Sequence, residues 1–232
     1  MSPAAAPRLR GCTIALDVGG TFTDVTLLDP ATGRLWITKT PTTPRDPSDG
    51  FLVGVEKVLR IAGAHPGGLG QVLHGTTTAT NAILEDKGAP TGLLTTAGFR
   101  YVLEIGRHDI PRRANMFAWV KPSRPVPPEL IFEIPGRIGV DGQELEPMTE
   151  SAVRAAARHL REAEVVSVAV CFLHSYANDT HERRAREVLL EEHPGCAVSL
   201  SSEVLPVFRE YERTMATVLN AYVQPLVGRY VE

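Results

Sequence analysis

The stretch Thr13 to Asp29, TIALDVGGTFTDVTLLD, constrains this chain more than any other. An apolar run (Ile14, Ala15, Leu16) ends in Asp17 and a glycine pair, Gly19 and Gly20. Thr21, Thr23 and Asp24 lead into a second apolar run (Val25, Leu27, Leu28). Val, Ile, Thr and Leu bounded by Gly and Asp predict strand, tight turn, strand. The glycine pair admits positive φ and lets the backbone approach a ligand with no Cβ between them. A turn of this kind aims several N–H groups at one point and makes an anion nest. Thr21 and Thr23 add hydroxyls. Asp17, at the end of the first strand, is placed to hold a hard cation directly or through water. Phosphate donors beside a carboxylate for Mg²⁺ point to a nucleoside triphosphate. Gly-Gly alone reads as an ordinary hairpin; the whole string from Asp17 to Asp24 asks for more.

The chain as a whole reads as of ordinary soluble, globular character, 43% hydrophobic and 22% charged over 232 residues. A formal charge of −3 gives no basic surplus for nucleic acid or an anionic membrane. Cys12, Cys171 and Cys196 are far apart, and the last two sit in apolar strand-like runs. They read as buried thiols in a reducing compartment, the cytoplasm. No apolar run approaches the ~20 residues of a membrane span. Residues 1–10 read as a disordered lead-in with no signal-peptide core.

Along the chain, Leu35 to Lys39 predicts a third strand, and short turns make the three an antiparallel meander. Asp46-Pro47 opens a helix that Gly63 closes. Gln71 to His74 predicts a strand that runs into Gly75-Thr76-Thr77-Thr78 and a second helix. Ala89 to Thr96 and Val165 to Leu173 read as buried strands, the latter covered on both faces. Helices are predicted from Thr149, from Asp179 as a cap, and over Phe208 to Glu232, where Pro225 should kink or end the last. Between them lies the irregular segment Gly106 to Pro128. It carries Arg107, His108, Asp109, Arg112 and Arg113, a knot suited to an anionic or carboxylated substrate or simply solvated. Arg209, Glu210, Glu212 and Arg213 read as a salt-bridged helix face, with Glu210 and Arg213 as possible cleft residues.

Four motifs in order carry a resemblance: Asp17 to Asp24 (DVGGTFTD), His74 to Asn81 (HGTTTATN), Phe208 to Arg213 (FREYER) and Asn220 to Pro225 (NAYVQP). Together they resemble the hydantoinase A/5-oxoprolinase family, ATP-dependent cyclic-amide hydrolases and related ATP-dependent ketone carboxylases. The resemblance implies an α/β fold, an actin-like ATPase (ribonuclease H-like) lobe. Its mixed sheet would open with the antiparallel three-strand meander and be flanked by helices. It implies ATP and Mg²⁺ as cofactors, with Gly19, Gly20, Thr21, Thr23 and Gly75 at the nucleotide and Asp17 at the metal, while Asp24 either joins the cofactor-binding cation shell or caps the turn. Asp17, Thr76 and Thr77 become the catalytic candidates, and Asn81, Arg107, His108 and Arg112 the substrate candidates. The implied partners are a small cyclic amide and a hydantoinase B-type subunit or domain.

Family subunits are much longer, and no second Gly-rich phosphate hairpin follows Ser201. The expected organisation is a nucleotide-binding lobe over 11–202 and a connecting helix over 203–232, a fragment that is inactive alone. A ketone-carboxylase piece is the alternative enzyme. A non-catalytic interaction module that keeps the half-fold is the alternative of another class. The discriminating substrate residues are not legible.

Overall fold

The computed structural model describes residues 10–43, 47–107, 115, 117–118 and 124–231. Two compact units form, Met1–Glu85 with Val227–Glu232, and Asp86–Leu226. The sequence reading of one lobe over 11–202 did not draw this division. Each unit has its own sheet and its own apolar cluster.

In the first unit, β1 (Cys12–Val18), β2 (Phe22–Asp29) and β3 (Arg34–Pro41) form the expected meander. Asp29 turns the chain into β3: its carboxylate accepts from Ala31 N at 3.0 Å and Thr32 Oγ1 at 2.6 Å. Helix α1 (Pro47–Ala62) follows, and β4 (Leu69–Thr76) then pairs parallel to β1, giving the order β3-β2-β1-β4. This is the expected mixed sheet. Alternation along β1 and β2 sends Ile14, Leu16, Val25 and Leu27 to one face, where they pack with Val58 and Leu59 of α1. Gly54 lets the helix come close, since a Cβ there would lie 2.7 Å from Val25 Cγ2. Helix α2 (Thr78–Leu84) closes the run.

In the second unit, β5 (Thr91–Thr96), β6 (Ile131–Ile134), β9 (Ser167–Cys171) and β10 (Ala197–Leu200) form an all-parallel sheet of order β10-β9-β5-β6. The short α3 (Val102–Ile105) and the ribbon β7 (Arg137–Ile138) with β8 (Glu144–Glu146) lie between β5 and the next helix in sequence. Helices α4 (Glu150–Glu162) and α5 (Thr180–Glu192) cover one face of the sheet, packing on Leu94, Val168 and Val170. The other face, with Leu93, Ala169 and Cys171, packs on Val218 and Ala221 of α7 (Glu210–Val231). The four-residue α6 (Ser201–Val204) follows β10. Every residue of β5 and β9 is therefore buried, as a sheet covered on both faces requires.

Two expectations at helix ends are refined. Asp179 is the N-cap residue of α5 through its backbone, its carbonyl accepting from Arg183 N at 3.0 Å, but its carboxylate takes Arg183 Nε at 2.6 Å, and Asn178 Oδ1 receives the Thr180 N–H at 3.1 Å. Pro225 does not end α7, which continues to Val231. In the turn before it, the Tyr222 carbonyl accepts from Ala89 N at 2.8 Å, a donor outside the helix. All three cysteines are free and buried, and burial pushes the Cys196 thiol up to about 11. Among the described residues no helix is long and apolar enough to cross a membrane.

Candidate functional site

The site is built on the β1–β2 turn. Gly19 N donates to Phe22 O at 3.0 Å, leaving Gly20 and Thr21 at the tip. Neither Gly19 nor Gly20 takes positive φ, so the sequence argument from left-handed backbone does not hold here. Space is the reason instead. A Cβ on Gly19 would lie 3.0 Å from Phe22 O, and one on Gly20 3.0 Å from Asn81 Nδ2. Thr42, which sequence reasoning missed, pins the turn. Its Oγ1 donates to Gly19 O at 2.8 Å, and its N–H to Thr21 O at 3.0 Å. The signal available was the Thr40-Pro41-Thr42-Thr43 run at the end of β3.

Asp17 stands on the sheet face away from α1 and is exposed. Its neighbours on that face follow from the register. Asp24 is directly opposite on β2, Lys39 lies beyond Asp24 on β3, and Gly75 lies on the other side, on β4. Like charges directly opposite each other are unfavourable. Lys39 Nζ, 3.2 Å from Asp24 Oδ1, offsets one of them. Asp17 has no basic partner among the described residues. Gly75 keeps the adjacent position open, because a Cβ there would only just reach Asp17 Oδ1, at 4.0 Å. The row thus presents one uncompensated carboxylate with room beside it.

The second Gly/Thr turn meets the first. Thr76 Oγ1 donates to Val18 O at 3.1 Å, and Thr77 N donates to the same carbonyl at 3.2 Å. Thr76 Oγ1 also receives the Thr78 N–H at 3.1 Å. Asn81 Nδ2 donates to Thr77 Oγ1 at 3.1 Å and so stands against Gly20. Asp17, Gly19, Gly20, Thr21, Asp24, Gly75, Thr76, Thr77 and Asn81 are therefore brought together.

Other predicted residues are not. Thr23 is fully buried on the α1 side of the sheet, its hydroxyl 3.1 Å from Thr42 Oγ1, so it braces the hairpin and does not face the site. His74 lies on the same side as Thr23, edge-on to Phe51 with ring centroids 5.5 Å apart. Arg107 belongs to the second unit, where it grips Glu212 through Nε at 3.0 Å and Nη2 at 2.7 Å. His108 and Arg112 lie outside the described residues. The expected salt-bridged face on α7 is only partly formed: Glu212 serves Arg107, while Arg213 is 1% exposed and bonded to backbone carbonyls.

Set beside known proteins, this mixed α/β architecture has clear relatives. The hydantoinase/oxoprolinase N-terminal region matches residues 13–193, and the chain belongs to that family. It is 38% identical to the caprolactamase subunit alpha of Pseudomonas jessenii over 94% of this chain and 32% of that one. The crystal structure of that ATP-dependent caprolactamase superposes with a TM-score of 0.84 at 36% identity, over the same shares of the two chains. The nucleotide-free structure of an acetone carboxylase, a study of ATP-dependent acetone carboxylation, superposes at 0.85 with 26% identity, over 96% of this chain and 34% of that one. The 5-oxoprolinase 1 of Arabidopsis thaliana is 29% identical over 97% of this chain and 19% of its own. The chain thus spans about a third or less of the length of these relatives.

Proposed function

We propose that this chain is the nucleotide-binding part of an ATP-dependent cyclic-amide hydrolase that activates its substrate by phosphoryl transfer. The observation that carries the reading is the uncompensated Asp17 beside the pinned Gly19–Thr21 turn, with Gly75 leaving space next to it. A carboxylate pair with one member free suits Mg²⁺, which takes one or two carboxylates and keeps several waters. Asp17, with Asp24 behind it, would hold the ion. Gly19, Gly20 and Thr21 would meet the phosphates, and Gly75, Thr76 and Thr77 would line the opposite side.

ATP, when bound, would supply a phosphoryl group to the amide oxygen, which makes the amide carbon a better electrophile for water and lets the ring C–N bond break. The chain's own contribution is position and charge, which carry most of the rate in phosphoryl transfer. Thr42 and Thr76 hold the turn and the Val18 carbonyl in place, so the donors need not reorganise. Lys39 limits the local charge to that of one free carboxylate. Asn81, held by Thr77, offers an amide at the tip. Arg107 is committed to Glu212 and is left out of the substrate set.

The relatives supply the reaction class. Caprolactamase and 5-oxoprolinase act on cyclic amides by name, and the former is a subunit alpha, which supports a partner subunit of the hydantoinase B type. The acetone carboxylase superposes equally well, which favours ketone activation as the second reading. Three free buried thiols fit a reducing compartment, the cytoplasm in this reading.

Titration of MgATP into the chain, followed by backbone amide NMR, tests the proposal. Amides of Gly19 to Thr21 and Gly75 to Thr77 are expected to shift. Asp17→Asn is expected to weaken Mg²⁺-dependent binding about tenfold or more. Unmoved amides at millimolar MgATP, or binding indifferent to that substitution, would reject it.

A further inference from the structure

Lys39 is a basic side chain that the sheet register brings to the face of Asp17 and Asp24. Alternation along β2 puts Phe22 on that face as well, two residues before Asp24 and directly after Thr21 of the turn. The Lys39 ammonium touches both. Its Nζ is 3.2 Å from Asp24 Oδ1 and 5.3 Å from the centroid of the Phe22 ring. The Lys39 backbone is fixed, paired with Asp24 in the ladder, and its carbonyl accepts from Lys57 Nζ at 2.7 Å. A change of partner therefore concerns the side chain alone, and the ammonium already reaches the ring of the residue that adjoins the turn.

Neither contact holds Lys39 tightly. Both side chains of the Asp24 pair are about half exposed, and an exposed pair of this kind contributes little and is screened by salt. The face of the Phe22 ring attracts a cation without demanding a particular acceptor. A divalent ion shared by Asp17 and Asp24 offers Asp24 twice the charge of one ammonium. Lys39 is then released beside the turn. Its ammonium is a compact charge with three donors, which suits phosphate oxygens. Backbone N–H groups of the turn serve any phosphate alike, whereas one added cation matters most at the group with the most charge, the terminal phosphate of a triphosphate.

We propose that Lys39 is a specificity-determining residue: it leaves Asp24 when Mg²⁺ is shared by the two carboxylates, and donates to the terminal phosphate of the nucleotide. The ligand in this inference rests on the functional reading above; the residue rests on the Asp24–Lys39–Phe22 arrangement. The alternative is a lysine that only offsets Asp24. Removing such a lysine would free Asp24 for Mg²⁺ and change the affinities for MgATP and MgADP by the same factor. Removing a ligand of the terminal phosphate changes their ratio.

The experiment titrates the chain and its Lys39→Met and Lys39→Arg variants with MgATP and with MgADP, read by backbone amide NMR of Gly19 to Thr21 and Gly75 to Thr77. The wild type is expected to prefer MgATP. Lys39→Met should lower the ratio of MgATP to MgADP affinity about tenfold, the worth of one charge-assisted contact. Lys39→Arg, which keeps the charge, should restore most of the ratio. Amides of β1 to β4 away from the turn should keep their wild-type positions in both variants, since Lys39 is exposed. A wild type with equal affinity for the two nucleotides, a ratio unchanged in Lys39→Met, an equal fall in Lys39→Arg, or a disturbed β1–β4 spectrum would each overturn the role of Lys39. With wild-type hairpin shifts present, those results reject Lys39 alone. Absence of hairpin shifts in the wild type at millimolar MgATP rejects the nucleotide reading and this inference with it.

Discussion

At the scale of single residues, two buried charges hold one stretch of backbone at the end of β9. Glu182 is fully buried, and its Oε1 accepts from Phe172 N at 2.9 Å and Ser201 Oγ at 2.5 Å. Its Oε2 accepts from Ser202 N at 2.9 Å. Arg213 Nη2 donates to the Phe172 carbonyl at 2.8 Å. Buried charges are tolerated when each lone pair and donor is used, and here the carboxylate spends both oxygens on backbone donors. Glu182→Gln keeps the volume but turns one acceptor into an NH₂ group facing another donor. The expected loss is about 2 kcal/mol or more of stability for the second unit. Urea unfolding monitored by amide NMR of β5 and β9 would show it, with MgATP binding at the hairpin unchanged. An unaltered midpoint for those amides would mean that Glu182 is not needed to hold the Phe172 backbone.

At the scale of elements, α4 and α5 are cross-braced. Glu192, at the end of α5, takes Arg158 Nε at 2.8 Å and Arg154 Nη1 at 3.2 Å, and Arg161 Nη1 donates to its backbone carbonyl at 2.6 Å. The Arg158 and Arg154 guanidiniums hold the Glu192 carboxyl down to about 2. A carboxylate whose folded pKa is depressed stabilises the fold above its unfolded value and loses that contribution as pH falls through the folded one. The window here runs from about 4.5 down to about 2. Melting temperatures of wild type and Glu192→Gln should therefore diverge most near neutrality and converge toward pH 2. Parallel curves across that range would remove Glu192 from the pH dependence. The helices themselves were legible, since Val153, Ala156, Ala157 and Leu160 recur at helical spacing and all four are buried. Which arginine meets which glutamate was not, because those pairs lie more than thirty residues apart. The same limit hid Arg213 and Glu182, as a charge at helical spacing reads as solvated until tertiary neighbours are known. The geometry of the candidate site was legible where its residues are local: the meander, the turn, the place of Asp17 and the Gly75-Thr76-Thr77 run. Thr23 was misplaced because the alternation that sends Val25 and Leu27 inward also sends Thr23 inward.

At the scale of the whole molecule, the two units differ in how they bury their sheets. The first sheet packs one face on α1, and its reverse face carries Leu35, Ile37 and Leu73 at 58%, 68% and 47% exposure. The second sheet is covered on both faces, and β5 and β9 are buried throughout. Burial of apolar surface is the main favourable term in stability, and local opening free energies follow it. Amides of β1 to β4 are therefore expected to exchange with solvent deuterium faster than those of β5 and β9. Core truncation should respect the same division. Leu16→Ala removes a side chain from the first cluster and Leu94→Ala one from the second, each at a cost of about 2–5 kcal/mol. Leu16→Ala should speed exchange in β1 to β4 and leave β5 and β9 protected, and Leu94→Ala should do the reverse. If either substitution accelerated exchange equally in both sheets, the two clusters would be one cooperative core, and the difference in burial would not translate into a difference in stability.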